Sequence, residues 1–183
     1  WIDYLAKGLA QADVQTDQGA TAWMEWYLGR LSHLLNDYTL AQKHFAVARQ
    51  LAQEIADTRL LARTLERMAT SAVEQADLAA AQHYAENALD LLDPDDPTRA
   101  HSVNVLGLIA LRHGEWEKAI NFYEESLALN RQGGVPHFIA QAEGNLAYAL
   151  MYAKRYPEAL VWYQRSIAQL AELGSVLEQA ISQ

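Results

Sequence analysis

The sequence predicts an all-α right-handed solenoid built from antiparallel helix pairs. Composition is the first reason: 32 Ala and 26 Leu stand against only 8 Val and 7 Ile among 183 residues. Ala and Leu favour helices, whereas β-branched residues favour strands. The second reason is a repeat of about 40 residues, and the third is that the repeated positions have helical spacing. Together these observations predict one repeat domain covering residues 1–183.

The repeat becomes visible when four segments are aligned on a central alanine. The four alanines are separated by 40, 38 and 40 residues, and they are Ala41, Ala81, Ala119 and Ala159. Repeated residues lie three positions before each alanine and four and seven positions after it, which places them on one helical face. A second small residue stands twelve positions before each alanine, in the order Gly29, Ala69, Gly107 and Ala147. Because small residues let helices approach closely, we expect each unit to contain two helices that cross there.

The predicted repeat units are residues 20–57, 58–96, 97–135 and 136–174. Their helix pairs are expected at 20–35 with 38–54, 59–75 with 78–92, 97–113 with 116–130, and 136–153 with 156–172. Residues 1–19 are interpreted as a partial preceding unit or a capping helix, and residues 175–183 as the start of a further helix. Solenoids normally end in polar capping repeats, and neither end has one, so a piece of a larger protein is expected.

Capping residues support these boundaries. Asp37 and Asp77 are predicted to cap second helices, and Asp96 is predicted to cap the helix near residue 97. Three prolines are expected in first helical turns, namely Pro97, Pro136 and Pro157. Ser175–Glu178 has the pattern of a capping box and predicts a new helix after Gly174.

The residues Leu28–Gly29, Ala41 and Phe45, with their counterparts Leu106–Gly107, Ala119 and Tyr123, resemble the tetratricopeptide repeat signature. The resemblance covers about residues 22–173. The chain departs from the signature where Trp opens it, since Glu25, Leu65, Val103 and Glu143 occupy that position, and the closing Pro is absent. It looks most like long-repeat arrays of bacterial signalling proteins, such as the sensor region of the maltose regulator and the peptide-binding Rap and PlcR-type regulators.

This resemblance implies a non-catalytic, cytoplasmic module that binds a protein or peptide within a larger bacterial signalling or regulatory protein. Tetratricopeptide arrays bind through a concave surface formed by fixed positions of their first helices. The corresponding candidates here are Trp23, Trp26, Arg30, His33, Arg63, Glu66, Thr70, His101, Asn104, Leu108, Gln141, Asn145 and Tyr148. Asn145 resembles the Asn with which some family members hold a peptide backbone. The excess of Arg and His over Glu in this set favours an acidic ligand.

Alternatives remain open for these residues and for the function. Trp23 and Trp26 could instead pack against a helix formed by residues 1–13, and Arg30 and Arg63 could pair with Glu66. The chain could also be the small-molecule-sensing domain of a transcription regulator, with Tyr148 and Tyr152 as further stacking groups. A third alternative is a self-assembly scaffold in which the array ends join copies, through Trp1, Leu5 and Leu9 at one end and Val176, Leu177 and Ile181 at the other.

Several classes of function lack their sequence signals. There is no Cys, no paired His with zinc spacing and no nucleotide-binding glycine motif, so we expect no enzyme, cofactor or metal site. Fourteen basic residues stand against 23 acidic ones, and this balance disfavours direct nucleic-acid binding. The longest apolar runs, at residues 105–111 and 146–153, are too short to predict a membrane span.

Overall fold

The computed structural model describes the backbone of residues 17–181 and the side chains of residues 17–174. This part of the chain contains eight α-helices and no strand, which confirms the predicted all-α helical repeat. The helices are α1 (Gln18–Leu34), α2 (Tyr38–Glu54), α3 (Thr58–Glu74), α4 (Leu78–Asp90), α5 (Arg99–Arg112), α6 (Trp116–Gly133), α7 (Pro136–Tyr152) and α8 (Tyr156–Ile181). The right-handed sense of the solenoid stays a prediction.

The chain divides between Asp93 and Pro94 into two compact units. In the first unit α1 packs on α2, α2 on α3 and α3 on α4, and α1 also contacts α3. In the second unit α5 packs on α6, α6 on α7 and α7 on α8. Each unit therefore contains two helix pairs, and within each unit successive helices are neighbours in space.

The first four helices are joined by one kind of tight turn. At each of the three junctions a residue with positive φ follows the preceding helix, and the next residue is an Asp that caps the following helix, as in Asn36–Asp37. The Asp37 N–H donates to the carbonyl of Ser32 at 2.9 Å, and its side chain accepts from the Leu40 N–H at 3.0 Å. Asp77 makes the same bond to the Ala80 N–H, so both predicted caps are confirmed. Asp17 and Asp57 cap α1 and α3 in the same way.

Two predicted boundaries are wrong. Helix α5 begins at Arg99 because Asp96 accepts hydrogen bonds from Thr98 N and Oγ1 and holds a separate turn there, so Pro97 lies before the helix. Helix α8 runs without a break to Ile181, whereas the sequence indicated an end at residue 172 and a new helix from Ser175. Gly174 does not adopt the left-handed conformation that would end the helix. The helix expected at residues 1–13 lies outside the described residues.

The predicted helix crossings are confirmed. The alanines on which the repeat was aligned are almost completely buried, with exposed fractions of 0–4%. At Gly29 a β-carbon would lie 2.5 Å from Cε1 of Phe45, and at Gly107 it would lie 2.8 Å from Cε1 of Tyr123. In these two pairs only Gly leaves room for the aromatic ring of the second helix. Ala69 suffices in the second pair, where Ala85 takes the place of that ring.

The glutamates that depart from the repeat signature have specific partners. Glu143 is fully buried, and it contacts Arg131 at 3.0 Å, Arg165 at 3.4 Å and Gln169 at 2.9 Å. Glu25 pairs with His44, whose Nδ1 lies 2.7 Å from the carboxylate. These pairs explain how a carboxylate is accommodated where the signature has Trp, since a buried charge needs partners.

Candidate functional site

The first unit brings four of the candidate residues together in what we term the Trp–Arg cluster, formed by Trp23, Trp26, Tyr27 and Arg30 of α1 with Arg63 of α3. The rings of Trp23 and Trp26 meet edge to face, with centroids 5.6 Å apart, and Tyr27 meets Trp26 at 5.1 Å. Arg30 Cζ lies 5.1 Å from the Trp26 ring centroid. Arg63 Cζ lies 5.7 Å from Trp26 and 5.9 Å from Trp23.

Helix geometry explains this grouping. Trp23, Trp26 and Arg30 are spaced by three and four residues, so they follow one face of α1. The contact between α1 and α3 then adds Arg63 from the next first helix. Guanidinium groups over tryptophan faces are favourable cation–π contacts.

The Trp–Arg cluster contains donor groups that find no acceptor among the described residues. Trp26 is only 5% exposed, yet its Nε1–H has no hydrogen-bond partner in the part of the chain that the structure describes. Arg30 and Arg63 are exposed, and neither forms an ion pair with any residue in the described part of the chain. Glu66, the acid that could have paired with them, is buried and lies 3.3 Å from Arg67 instead. The alternative in which Glu66 neutralises Arg30 or Arg63 therefore does not describe this unit.

His33 and Thr70 lie near this surface but already have partners. His33 Nδ1 and Ser71 Oγ share a hydrogen bond of 3.0 Å that links α1 to α3. Burial lowers the pKa of His33 below 6.5, and the positive charge of Arg67 lowers it further. Thr70 donates to the carbonyl of Glu66 at 3.1 Å. Within the unit these two side chains have structural hydrogen bonds.

The second unit contains a small polar cavity, the amide pocket, with a volume of about 30 Å³. It brings together four predicted residues from two first helices, His101 and Asn104 of α5 with Gln141 and Asn145 of α7. Asn145 Nδ2 donates to Asn104 Oδ1 at 2.6 Å. The His101 ring meets the Phe138 ring edge to face at 5.0 Å.

Sequence reasoning missed part of this lining. Asn130 and Ser126 also line the amide pocket, and they come from the second helix α6. Ser126 Oγ is committed to the carbonyl of Ala100 at 2.9 Å. Candidates had been sought only on first helices, and the repeat spacing gave no signal that Asn130 on the second helix α6 would line the pocket.

Tyr148 lies in a different group from the amide pocket. Its hydroxyl shares a hydrogen bond of 3.0 Å with Tyr152, and Tyr152 in turn stacks on Trp116 with centroids 5.2 Å apart. The hydrogen bond to Tyr152 raises the pKa of Tyr148 above 10. Leu108 is partly buried and is not among the residues that line the amide pocket.

Two further properties concern metals and membranes. Within residues 17–174, whose side chains are described, no three His, Asp or Glu side chains are grouped so that they could hold a metal ion. None of the described helices combines the length and apolar character needed to cross a membrane.

Part of the chain is similar to a known repeat family, and the fold of the chain is similar to that of several solved structures. The family model described as tetratricopeptide repeat matches residues 61–132. The structure of BtubC from P. vanneervenii is similar, with 20% identity, a TM-score of 0.76, and coverage of 93% of this chain and 72% of that chain. No curated protein sequence matches the chain.

Two further solved structures have the same fold over part of their length. A Rap protein complexed with competence and sporulation factor is 18% identical, with a TM-score of 0.79 and coverage of 93% of this chain and 47% of that chain. The apo form of the quorum sensor NprR from B. thuringiensis is also 18% identical, with a TM-score of 0.76 and coverage of 92% and 47%. The chain thus spans about half the length of these two proteins.

Proposed function

Because residues 61–132 are tetratricopeptide repeats, we propose that the chain is a non-catalytic module that binds a peptide or protein within a larger bacterial signalling or regulatory protein. The Rap structure with the same fold is complexed with competence and sporulation factor, and NprR is named a quorum sensor. These two proteins support a ligand-binding role, while the choice of a peptide rests on the chemistry of the amide pocket.

The observation that carries the proposal is the free hydrogen-bonding capacity of Asn104 and Asn145. An Asn amide offers a carbonyl oxygen that accepts and an NH₂ group that donates, and these groups are complementary to the N–H and C=O of a peptide bond. Their mutual bond is the one side-chain hydrogen bond that either amide makes within the described residues. The Oδ1 of Asn145 and the Nδ2 of Asn104 are therefore left to bind the N–H and C=O groups of an extended peptide.

The size of the amide pocket favours a peptide over a compact small molecule. Ligand pockets for small molecules usually enclose roughly 300–1,000 Å³, whereas the amide pocket encloses about 30 Å³. A space of that size admits a backbone amide or the tip of one side chain. A peptide can extend beyond it over the surface, because only one of its groups needs to enter.

A peptide-display selection tests the proposal. Random dodecapeptides on phage are selected against the whole chain, and the enriched peptides are then measured by fluorescence anisotropy. We expect binding to weaken by about tenfold in Asn145→Ala, because one to two hydrogen bonds to the peptide are lost. The matched control is Asn121→Ala, which removes an exposed Asn from the second helix α6. Equal affinity for the Asn145→Ala and Asn121→Ala proteins would move binding away from the amide pocket.

A further inference from the structure

We infer that the Trp–Arg cluster of the first unit is a subsite for a side-chain carboxylate of an acidic peptide. This inference rests on the proposed function, since it takes the ligand to be a peptide and adds the charge of the group bound. It is carried by different residues in a different unit, so the two ideas can be tested separately.

The first argument is that the two arginines of the Trp–Arg cluster have no carboxylate partner. Arg30 and Arg63 are exposed, and they make no ion pair within the described residues. A guanidinium group can only donate hydrogen bonds, so its partner must be an acceptor, and beside two such groups the preferred acceptor is an anion. The Nε1–H of Trp26 also has no partner among the described residues, but it is buried, so only the two arginines are accessible to a ligand.

The second argument comes from charge. The whole chain carries a formal charge of −9, so acids that could neutralise two exposed arginines are plentiful. The nearby acid Glu66 is nevertheless held by Arg67, and Arg30 and Arg63 remain without a carboxylate. A positive patch on an acidic protein attracts an acidic segment locally, and binding there should weaken as salt is added.

The third argument is that the cluster is already arranged for binding. Both guanidinium groups lie against the Trp26 ring, at 5.1 and 5.7 Å from its centroid. Stacking restricts the planar groups and leaves their N–H edges available for a carboxylate, which guanidinium binds in a two-pronged geometry. A ligand then has less side-chain freedom to remove when it binds.

The test uses three fluorescein-labelled octapeptides and measures their fluorescence anisotropy with the whole chain at low salt. The first is (Gly-Glu)₄ with an amidated C-terminus, the second is (Gly-Gln)₄ amide, and the third is (Gly-Gln)₄ with a free C-terminus. We expect the Glu peptide to bind and the Gln amide not to bind. Binding of the third peptide alone would assign the subsite to a terminal carboxylate and overturn the side-chain inference.

The variants compare two arginines of the same helix. Arg63→Gln should lower the affinity for the Glu peptide by about tenfold, because a charge-assisted hydrogen bond to the peptide is lost. Arg59→Gln is the matched control, since Arg59 is exposed on α3 and makes no ring contact or ion pair among the described side chains. It should change the affinity by less than about twofold.

Two results would overturn the inference. If Arg59→Gln and Arg63→Gln weaken binding of the Glu peptide equally, the peptide is attracted by general charge alone. If Arg63→Gln leaves the affinity for the Glu peptide unchanged, the Trp–Arg cluster does not bind the carboxylate. The proposed function has its own readout, which is the effect of Asn145→Ala on display-selected peptides. If Asn145→Ala weakens the binding of the display-selected peptides and Arg63→Gln does not weaken the binding of the Glu peptide, the proposed peptide binding is supported and the carboxylate subsite is refuted.

Discussion

The crossing of α1 and α2 predicts an unusual result for Gly29→Ala. Replacing Gly by Ala inside a helix normally stabilises it by about 1 kcal/mol. At Gly29, however, the new β-carbon would lie 2.5 Å from Cε1 and 2.6 Å from Cδ1 of Phe45. Phe45 is fully buried, so its ring can move only by displacing its neighbours. Overpacking costs roughly 1–3 kcal/mol, and a contact as short as 2.5 Å falls in the upper part of that range, about 2–3 kcal/mol. After the gain of about 1 kcal/mol is subtracted, we expect a net destabilisation of about 1–2 kcal/mol.

Thermal unfolding followed by circular dichroism measures this effect. For a protein of this size each kcal/mol lowers Tm by roughly 2–4 °C, so Gly29→Ala should lower Tm by about 2–8 °C. Gly174→Ala is the matched control, because a β-carbon at Gly174 in α8 meets no atom within 4 Å. That variant should gain up to about 1 kcal/mol of stability.

A double-variant cycle identifies Phe45 as the cause. In a Phe45→Leu protein the aromatic ring is gone, so adding Gly29→Ala should no longer lower the stability. It should instead raise the stability by nearly as much as Gly174→Ala does. Coupling between residues in contact is measured by such cycles. A Tm that rises in Gly29→Ala as much as in Gly174→Ala would refute the close crossing and the repeat register built on it.

Three further predictions concern the turns, the buried carboxylate and His33. Ala56 has a φ of 54°, a conformation that Gly adopts more easily than Ala, so Ala56→Gly should raise the free energy of unfolding by about 1 kcal/mol. The control Ala46→Gly lies inside α2 and should lower the free energy of unfolding by about the same amount. Both are measured by unfolding in urea. Changing both Arg131 and Arg165 to Met leaves the buried Glu143 without a cation, so the free energy of unfolding in urea should decrease by about 3 kcal/mol. Glu143→Met should lower it by less, because the two arginines that lose their partner are about half exposed. The pKa of His33 is lowered by burial, so the folded state resists its protonation, and the free energy of unfolding should decrease as pH falls from 6.5 towards that lowered pKa. His33→Gln should remove this pH dependence. An NMR titration that places the pKa of His33 at or above 6.5 would contradict the prediction that stability falls with pH.

The sequence predicted the repeat because its packing depends on residue size at fixed spacing. Gly29 opposite Phe45 and Gly107 opposite Tyr123 are steric pairs, so their periodic occurrence already indicates where helices cross. Asp37 and Asp77 each accept a hydrogen bond from the backbone N–H three residues later, and such local helix caps can also be predicted from sequence.

Other features depend on context that spacing does not contain. Gly174 is compatible with a helix end and with a helix interior, and the neighbouring residues keep α8 helical. Asn130 belongs to a second helix, and it joins the amide pocket only through the packing of α6. The unpartnered Trp26 N–H is likewise a property of the folded unit, because no sequence pattern specifies which buried donors find acceptors.

The most direct test of peptide binding by the first helices is an NMR spectrum of the side-chain amides. A ¹⁵N-labelled sample of the whole chain is titrated with a peptide enriched by display selection, and the Asn side-chain signals are followed. We expect the signals of Asn104 and Asn145 to shift strongly, while those of Asn121 and Asn87 on second helices stay in place. Asn121 is exposed, and Asn87 is partly exposed with a hydrogen bond of 3.0 Å to His83. Saturable shifts at Asn121 or Asn87, with Asn104 and Asn145 unchanged, would contradict it.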